Sequence, residues 1–172
     1  FIYFNKMNKN SLIMNSKRIN DCAHRISYQI VESSINKKEI ILIGIKNNGF
    51  IFAKKIQKFL KKITDQKIEL MSFEINKKKP HESITLKNQF NNIDNSSVIL
   101  IDDVLNTGKT LMYSIKFLLN YRINQLKTAV LIDRNHKDFP VKVDFKGLSL
   151  STTMNEHVEV VLKKNNEGVY LS

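Results

Sequence analysis

Residues 98–110 read Val-Ile-Leu-Ile-Asp-Asp-Val-Leu-Asn-Thr-Gly-Lys-Thr. Four apolar residues in a row fit a strand buried on both faces of a parallel sheet. Two adjacent carboxylates, Asp102 and Asp103, stand where that strand is expected to end. A short loop then leads to Thr107-Gly108-Lys109-Thr110, which opens an amphipathic helix expected over about residues 107–121.

The residue types suit two kinds of ligand group. A helix start leaves backbone N–H groups unpaired and carries partial positive charge, so it favours an anion such as a phosphate. Gly108 lets the backbone approach closely. Thr107 and Thr110 add hydroxyl donors, and Lys109 adds a cation. Asp102 and Asp103 accept hydrogen bonds at neutral pH and suit the paired hydroxyls of a sugar. Side chains alternate across a strand, so both acids can serve one ligand only if the strand ends at them. An ATP-binding P-loop shares Gly108-Lys109-Thr110, but its first glycine would fall at position 103, which is Asp.

Working outward, Ile40-Ile41-Leu42-Ile43-Gly44-Ile45 and Thr128-Ala129-Val130-Leu131-Ile132 are further continuous apolar runs, read as buried strands. Ser16 is a candidate N-cap for a first helix, whose Ile19, Ala23, Ile26 and Ile30 recur at helical spacing. Cys22 lies beside that stripe. A second helix is expected over 49–63, with Phe52, Ala53, Ile56, Phe59, Leu60 and Ile63 on one face. Lys54, Lys55, Lys58, Lys61 and Lys62 form the other. Residues 67–73 read as a strand, 74–97 as a polar, flexible excursion, and 141–145, 158–162 and 169–171 as short strands. On the helix at 107–121, Leu111, Met112, Ile115, Leu118 and Leu119 make the main face, leaving Phe117 and Tyr121 for a second layer or a subunit contact. Alternating strands and helices imply an α/β domain with a mostly parallel sheet. Ligands then sit at the carboxyl ends of the strands, where the loops 46–49, 102–110 and 133–140 would converge.

The chain has 172 residues, 42% of them hydrophobic, enough for one domain with a core. Residues 1–15 are expected to be a flexible N-terminal extension, with Met7 a candidate start, and 16–172 the domain. No apolar run is long enough to cross a bilayer, so no membrane association is expected. A single cysteine excludes an intrachain disulfide and suits a reducing, cytoplasmic setting. Lys and Arg number 28 against 16 Asp and Glu, a formal charge of +12 that attracts polyanions. The chain is also rich in Lys, Asn and Ile, as an A/T-rich genome would produce, so the charge alone does not specify nucleic acid.

The stretch 98–110 resembles the phosphoribosyl-pyrophosphate (PRPP) loop of the type I phosphoribosyltransferases. Leu42-Ile43-Gly44-Ile45-Lys46-Asn47-Asn48-Gly49 resembles the pyrophosphate loop of the pyrimidine operon attenuator/uracil phosphoribosyltransferase family. Leu131-Ile132-Asp133-Arg134-Asn135-His136-Lys137-Asp138-Phe139-Pro140 is similar to that family's Val-Asp-Arg-Gly-His-Arg-Glu-Leu-Pro segment. The likeness runs from about residue 16 to the C-terminus. It implies a single-domain α/β phosphoribosyltransferase fold with a small hood, and transfer of ribose 5-phosphate from PRPP to a nucleobase, with uracil the branch's base. It also implies Mg²⁺ as cofactor and a homodimer or higher homo-oligomer. By resemblance, Asp102 and Asp103 hold the ribose hydroxyls, directly or through the metal. Asn106, Thr107, Gly108, Lys109 and Thr110 hold the 5′-phosphate, and Lys46, Asn47, Asn48 and Gly49 the pyrophosphate. Asp133, Arg134, His136 and Phe139 lie near the base.

Two departures stand out. The family's pyrophosphate loop usually reads Lys-Thr-Arg-Gly, whereas this chain has Asn47-Asn48 and no arginine. The excursion at 74–97 carries no Tyr-Arg-Asp-Asp, and Lys77, Lys78 and Lys79 are the cations available to replace it. Three functions are therefore open from sequence: a phosphoribosyltransferase, a nucleotide-sensing RNA-binding regulator of pyrimidine genes, and a PRPP- or nucleotide-binding protein with little turnover.

Overall fold

The computed structural model describes residues 11–76, 79, 84–87, 93–151, 156–163 and 166–172. Its elements in chain order are β1 (Ser11–Asn15), α1 (Ser16–Ser33), β2 (Glu39–Ile45), α2 (Asn48–Ile63), β3 (Lys67–Ile75) and β4 (Ile84–Lys87). They continue as β5 (Ser97–Leu105), α3 (Lys109–Leu118), β6 (Gln125–Arg134), β7 (Phe145–Leu150), β8 (Val158–Lys163) and β9 (Asn166–Leu171). Six strands form the main sheet in the order β4-β3-β2-β5-β6-β7. β3, β2, β5, β6 and β7 run parallel, and β4 is antiparallel to β3 at the edge.

Both faces of this sheet are covered, which is why its inner strands are apolar throughout. On one face, Ile19, Ala23, Ile26 and Ile30 of α1 and Phe52, Ala53, Ile56 and Leu60 of α2 pack with Ile40, Leu42, Ile99 and Ile101. On the other, Leu111 and Leu118 of α3 pack with Ile41, Ile43, Val98 and Leu100. The chain winds from β2 through α2 to β3 in one direction and from β5 through α3 to β6 in the other. The neighbouring strands β2 and β5 thus flank the switch point, where doubly wound sheets bind their ligands.

A second, antiparallel sheet of order β1-β9-β8 forms a hood. It corrects the expected N-terminal extension, because residues 11–15 are an ordered strand with Leu12 paired to Tyr170 and Asn15 to Gly168. Residues 1–10 lie outside the described residues. The cap of α1 is Asn15, whose Oδ1 accepts from Arg18 N at 3.0 Å, rather than Ser16. Ser16 Oγ instead donates to Glu167 Oε2 at 2.7 Å, and Lys55 Nζ meets the same carboxylate at 2.8 Å, so the hood is pinned to both helices. Lys55 thereby leaves the lysine face of α2, while Lys54, Lys58, Lys61 and Lys62 stay exposed. Burial alone would raise the Glu167 carboxyl, yet the hydrogen bonds from Lys55 and Ser16 hold it below its ordinary value.

Other boundaries moved. The helix after the PRPP-like loop starts at Lys109 and ends at Leu118, so Leu119 is exposed rather than core. Phe117 is covered by an edge-to-face contact with Phe73, ring centroids 5.5 Å apart. Residues 141–144 are not strand, and β7 begins at Phe145. Strand β4 lies within the excursion read as irregular. Among the described residues no helix is long and apolar enough to cross a membrane.

Candidate active site

A cavity of about 340 Å³ opens at the carboxyl ends of β5 and β6. Every residue from Asp102 to Leu111 lines it, joined by Val130 and Arg134 of β6 and by His157 and Val158 at the start of β8. The diacid and the helix-opening loop therefore face one space.

The route by which both acids reach that space differs from the expected one. Strand β5 does not stop at Asp102 but continues to Leu105. Up to Ile101 its side chains alternate, Ile99 and Ile101 packing in the layer of α1 and α2, Val98 and Leu100 in the layer of α3. Beyond the acids, Val104 joins the layer of Ile99 and Leu105 the layer of Leu100. Strand β5 keeps an unbroken register with β6 across the acids, Asp102 opposite Val130 and Val104 opposite Ile132, and both acids still border the cavity. Asp102 is buried at 4% exposure, and its Oδ1 accepts from Asp103 N at 2.9 Å. Gly49 in the first turn of α2 presses on this residue. A Cβ there would stand 3.0 Å from Asp102 Cα, Asp102 Oδ1 and Ile101 O.

The loop after β5 has the shape of an anion cradle. Gly108 has φ +85° and caps α3 from the left-handed region, where a side chain would also meet Val141 Cγ1 at 2.5 Å. Thr107 Oγ1 accepts from Lys109 N at 3.3 Å. Thr107 O accepts from Asp138 N at 2.9 Å and Phe139 N at 3.0 Å. The first turn of α3, whose leading N–H groups have no acceptor within the helix, borders the cavity.

The loop after β2 is built otherwise. Asn47 has φ 73°, a strained value for a residue with a side chain, and its carbonyl accepts from Ile51 N. Lys46 Nζ lies 2.6 Å from Glu74 on β3. Asn48 Nδ2 donates to Asp103 Oδ2 at 3.1 Å and to Val160 O in the hood at 2.8 Å. None of residues 46–49 lines the cavity, although Asn48 and Gly49 touch its two acids.

Of the residues expected near the base, the cavity gathers only Arg134. Its guanidinium is buried and donates to Glu156 O at 2.9 Å. Asp133, 1% exposed, lies 3.2 Å from Lys137 and from Lys146 and serves those lysines instead. His136 is exposed and off the lining, and Phe139 braces the β5 loop through its backbone. Lys77 and Lys78 lie outside the described residues, and Lys79 is exposed, away from the cavity. His157 and Val158 were not legible as site residues, because their position depends on the return of the hood over β5. Among the described residues no group of three or more His, Cys, Asp or Glu side chains forms a metal cage.

Comparison with known proteins agrees with this architecture. The family model described as the phosphoribosyl transferase domain matches residues 11–164. The bifunctional protein PyrR of Haemophilus ducreyi is 32% identical over 157 residues, covering 87% of this chain and 88% of the relative. PyrR of Clostridium beijerinckii is 32% identical over 166 residues, covering 92% and 93%. The hypoxanthine phosphoribosyltransferase of Trypanosoma cruzi superposes with a TM-score of 0.79 at 15% identity, covering 94% of this chain and 95% of that one. The Staphylococcus aureus enzyme gives 0.76 at 18% identity, covering 93% and 90%. These two likenesses speak for the fold alone. With the domain match spanning the main sheet, both switch-point loops and strands β1 and β8 of the hood, the chain belongs to the type I phosphoribosyltransferases, among the PyrR-like proteins.

Proposed function

We propose that the chain transfers the ribose 5-phosphate of PRPP to uracil, giving UMP and pyrophosphate. The observation that carries this reading is the shared cavity: two carboxylates and a glycine-capped helix start face one space. Asp102 and Asp103 accept from the ribose hydroxyls. Asn106, Thr107, Gly108, Lys109 and Thr110 hold the 5′-phosphate through backbone N–H groups, hydroxyls and the lysine charge. Lys46 and the backbone of residues 47–49 meet the pyrophosphate. Val130, Arg134, His157 and Val158 wall the end left for the base. The bond from the anomeric carbon to pyrophosphate breaks largely before the base nitrogen bonds to that carbon and loses its proton. The protein's part is positioning and electrostatics.

Mg²⁺ fits this donor set as a passenger of the substrate. Among the described residues Asp102 and Asp103 form no cluster with a third acid, histidine or cysteine, which suits an ion that keeps its waters and binds mainly through phosphates. When bound, it neutralises the pyrophosphate charge. Exposed Leu119 and Tyr121 at the end of α3 support self-association into a homodimer. The lone cysteine, Cys22, supports a cytoplasmic setting.

The test is pyrophosphate release from PRPP and Mg²⁺ with uracil, hypoxanthine, guanine, xanthine and orotate in parallel. Turnover with uracil alone is expected. Turnover with a purine keeps the chemistry and overturns the base, and silence throughout overturns the reading. A second reading, RNA binding, rests on the exposed row Lys54, Lys58, Lys61 and Lys62 of α2. Its signature is RNA affinity that falls steeply with salt and with substitution of those four lysines.

A further inference from the structure

The side chain at position 48 has been taken as part of the pyrophosphate loop, yet its geometry assigns it elsewhere. An amide nitrogen carries two hydrogens. In Asn48 one goes to Asp103 Oδ2 at 3.1 Å and the other to Val160 O at 2.8 Å. The three groups come from three separate units: the first turn of α2, the acid pair of β5 and strand β8 of the hood. Both acceptors are distant in sequence, 55 and 112 residues away, so the contact is a property of the fold and not of a local turn. Gly49, the next residue, packs against Asp102. Residues 48 and 49 thus grip the two acids from the same helix start, and Asn48 adds the hood to that grip.

Resting on the proposed transferase reading, we infer that Asn48 is a positioning residue: it aims the Asp103 carboxylate and fixes the hood strand β8 above it. Its amide acts through Asp103 and does not bind pyrophosphate, since both donors are already committed. The chain has exchanged an arginine charge on the leaving group for a strut between catalytic acid and hood. The hood also supplies His157 and Val158 to the cavity, so a loosened β8 displaces the base wall together with the acid.

Two variants separate the strut from a leaving-group contact. Asn48→Ala removes both donors. Asn48→Leu keeps the approximate size and removes the donors only, adding no charge beside Asp103. Two readouts are taken on each. Amide hydrogen exchange in β8 is expected to speed up by about tenfold, the loss of one charge-assisted and one neutral hydrogen bond. The kcat is expected to fall by a similar factor, about tenfold, while the KM for PRPP and the affinity for magnesium pyrophosphate change less than about threefold. Wild-type exchange in β8 of both variants overturns the inference, whatever the rates. A tenfold loss of pyrophosphate affinity with kcat preserved overturns it too, by returning Asn48 to the leaving group. If the wild-type chain releases no pyrophosphate with any base, the transferase reading fails on its own, and β8 exchange still decides whether Asn48 is the strut.

Discussion

The loops that follow β2 and β5 sit side by side at the switch point, each joining a parallel strand to a helix, yet they are built for opposite tasks. The β5 loop keeps its groups facing the cavity. Gly108 adopts a left-handed cap, Asp138 and Phe139 brace Thr107 from behind, and every residue from Asp102 to Leu111 borders the space. The β2 loop turns its groups toward the protein. Lys46 faces Glu74, Asn48 is spent on Asp103 and Val160, and Gly49 presses on Asp102. In the proposed reading the β5 loop receives the 5′-phosphate, while the side chain of Asn48 and the packing of Gly49 hold the two acids in place. Like positions in a fold therefore do not imply like roles, and the difference lies in what each side chain already touches.

The sharpest way to break this comparison is at the acids. Asp102→Asn combined with Asp103→Asn leaves shape almost unchanged and is expected to lower turnover by about a thousandfold, measured as pyrophosphate release. A drop of only a few-fold would remove the acids from the chemistry. Gly108→Ala is next. A left-handed φ costs an alanine about 1–2 kcal/mol, and the contact with Val141 adds to it, so the urea midpoint should fall and the KM for PRPP rise. An unchanged midpoint would mean that the cradle adjusts freely.

Smaller effects sharpen the β2 side. Glu74→Gln frees Lys46, whose side chain is 57% exposed. The KM for PRPP should fall by about threefold, with stability changed by less than about 1 kcal/mol because exposed ion pairs contribute little. A raised KM would show that Glu74 positions Lys46 for the substrate instead of competing for it. The gentlest test concerns the clamp between α2 and hood. The Glu167 carboxyl titrates below its ordinary value, since the Lys55 and Ser16 hydrogen bonds outweigh its burial. Such a group contributes stability above its unfolded pKa and loses it as pH falls through the folded one. Glu167→Gln should therefore destabilise at neutral pH, and the gap to wild type should close in acid below the ordinary carboxylate range. A gap that persists in acid would assign the effect to packing.

Much of this was legible in the sequence where neighbours in the chain determine the outcome. The runs 40–45, 98–101 and 128–132 form buried parallel strands, and the stripes Ile19/Ala23/Ile26/Ile30 and Phe52/Ala53/Ile56/Leu60 form buried helix faces. The order of diacid, Thr107-Gly108 and helix gave the cavity's main wall. What stayed hidden depends on distant pairing. Strand β1 exists because Leu12 meets Tyr170, and a short Leu12-Ile13-Met14 run gives no sign of that partner. His157 enters the cavity for the same reason. The partners of Asp133 were hidden too, because a motif shows a carboxylate but not Lys146 beside it. The continuation of β5 past Asp102-Asp103 to Leu105 is also invisible in sequence, since a strand ending at the acids gives both the same access.

The most direct measurement is a crystal structure of the chain with UMP. The 5′-phosphate is expected on the N–H groups and hydroxyls of residues 107–110, the ribose hydroxyls against Asp102 and Asp103, and the base beside Arg134 and His157. A phosphate seated on residues 46–49, or a ribose that leaves both acids untouched, would contradict the proposed function.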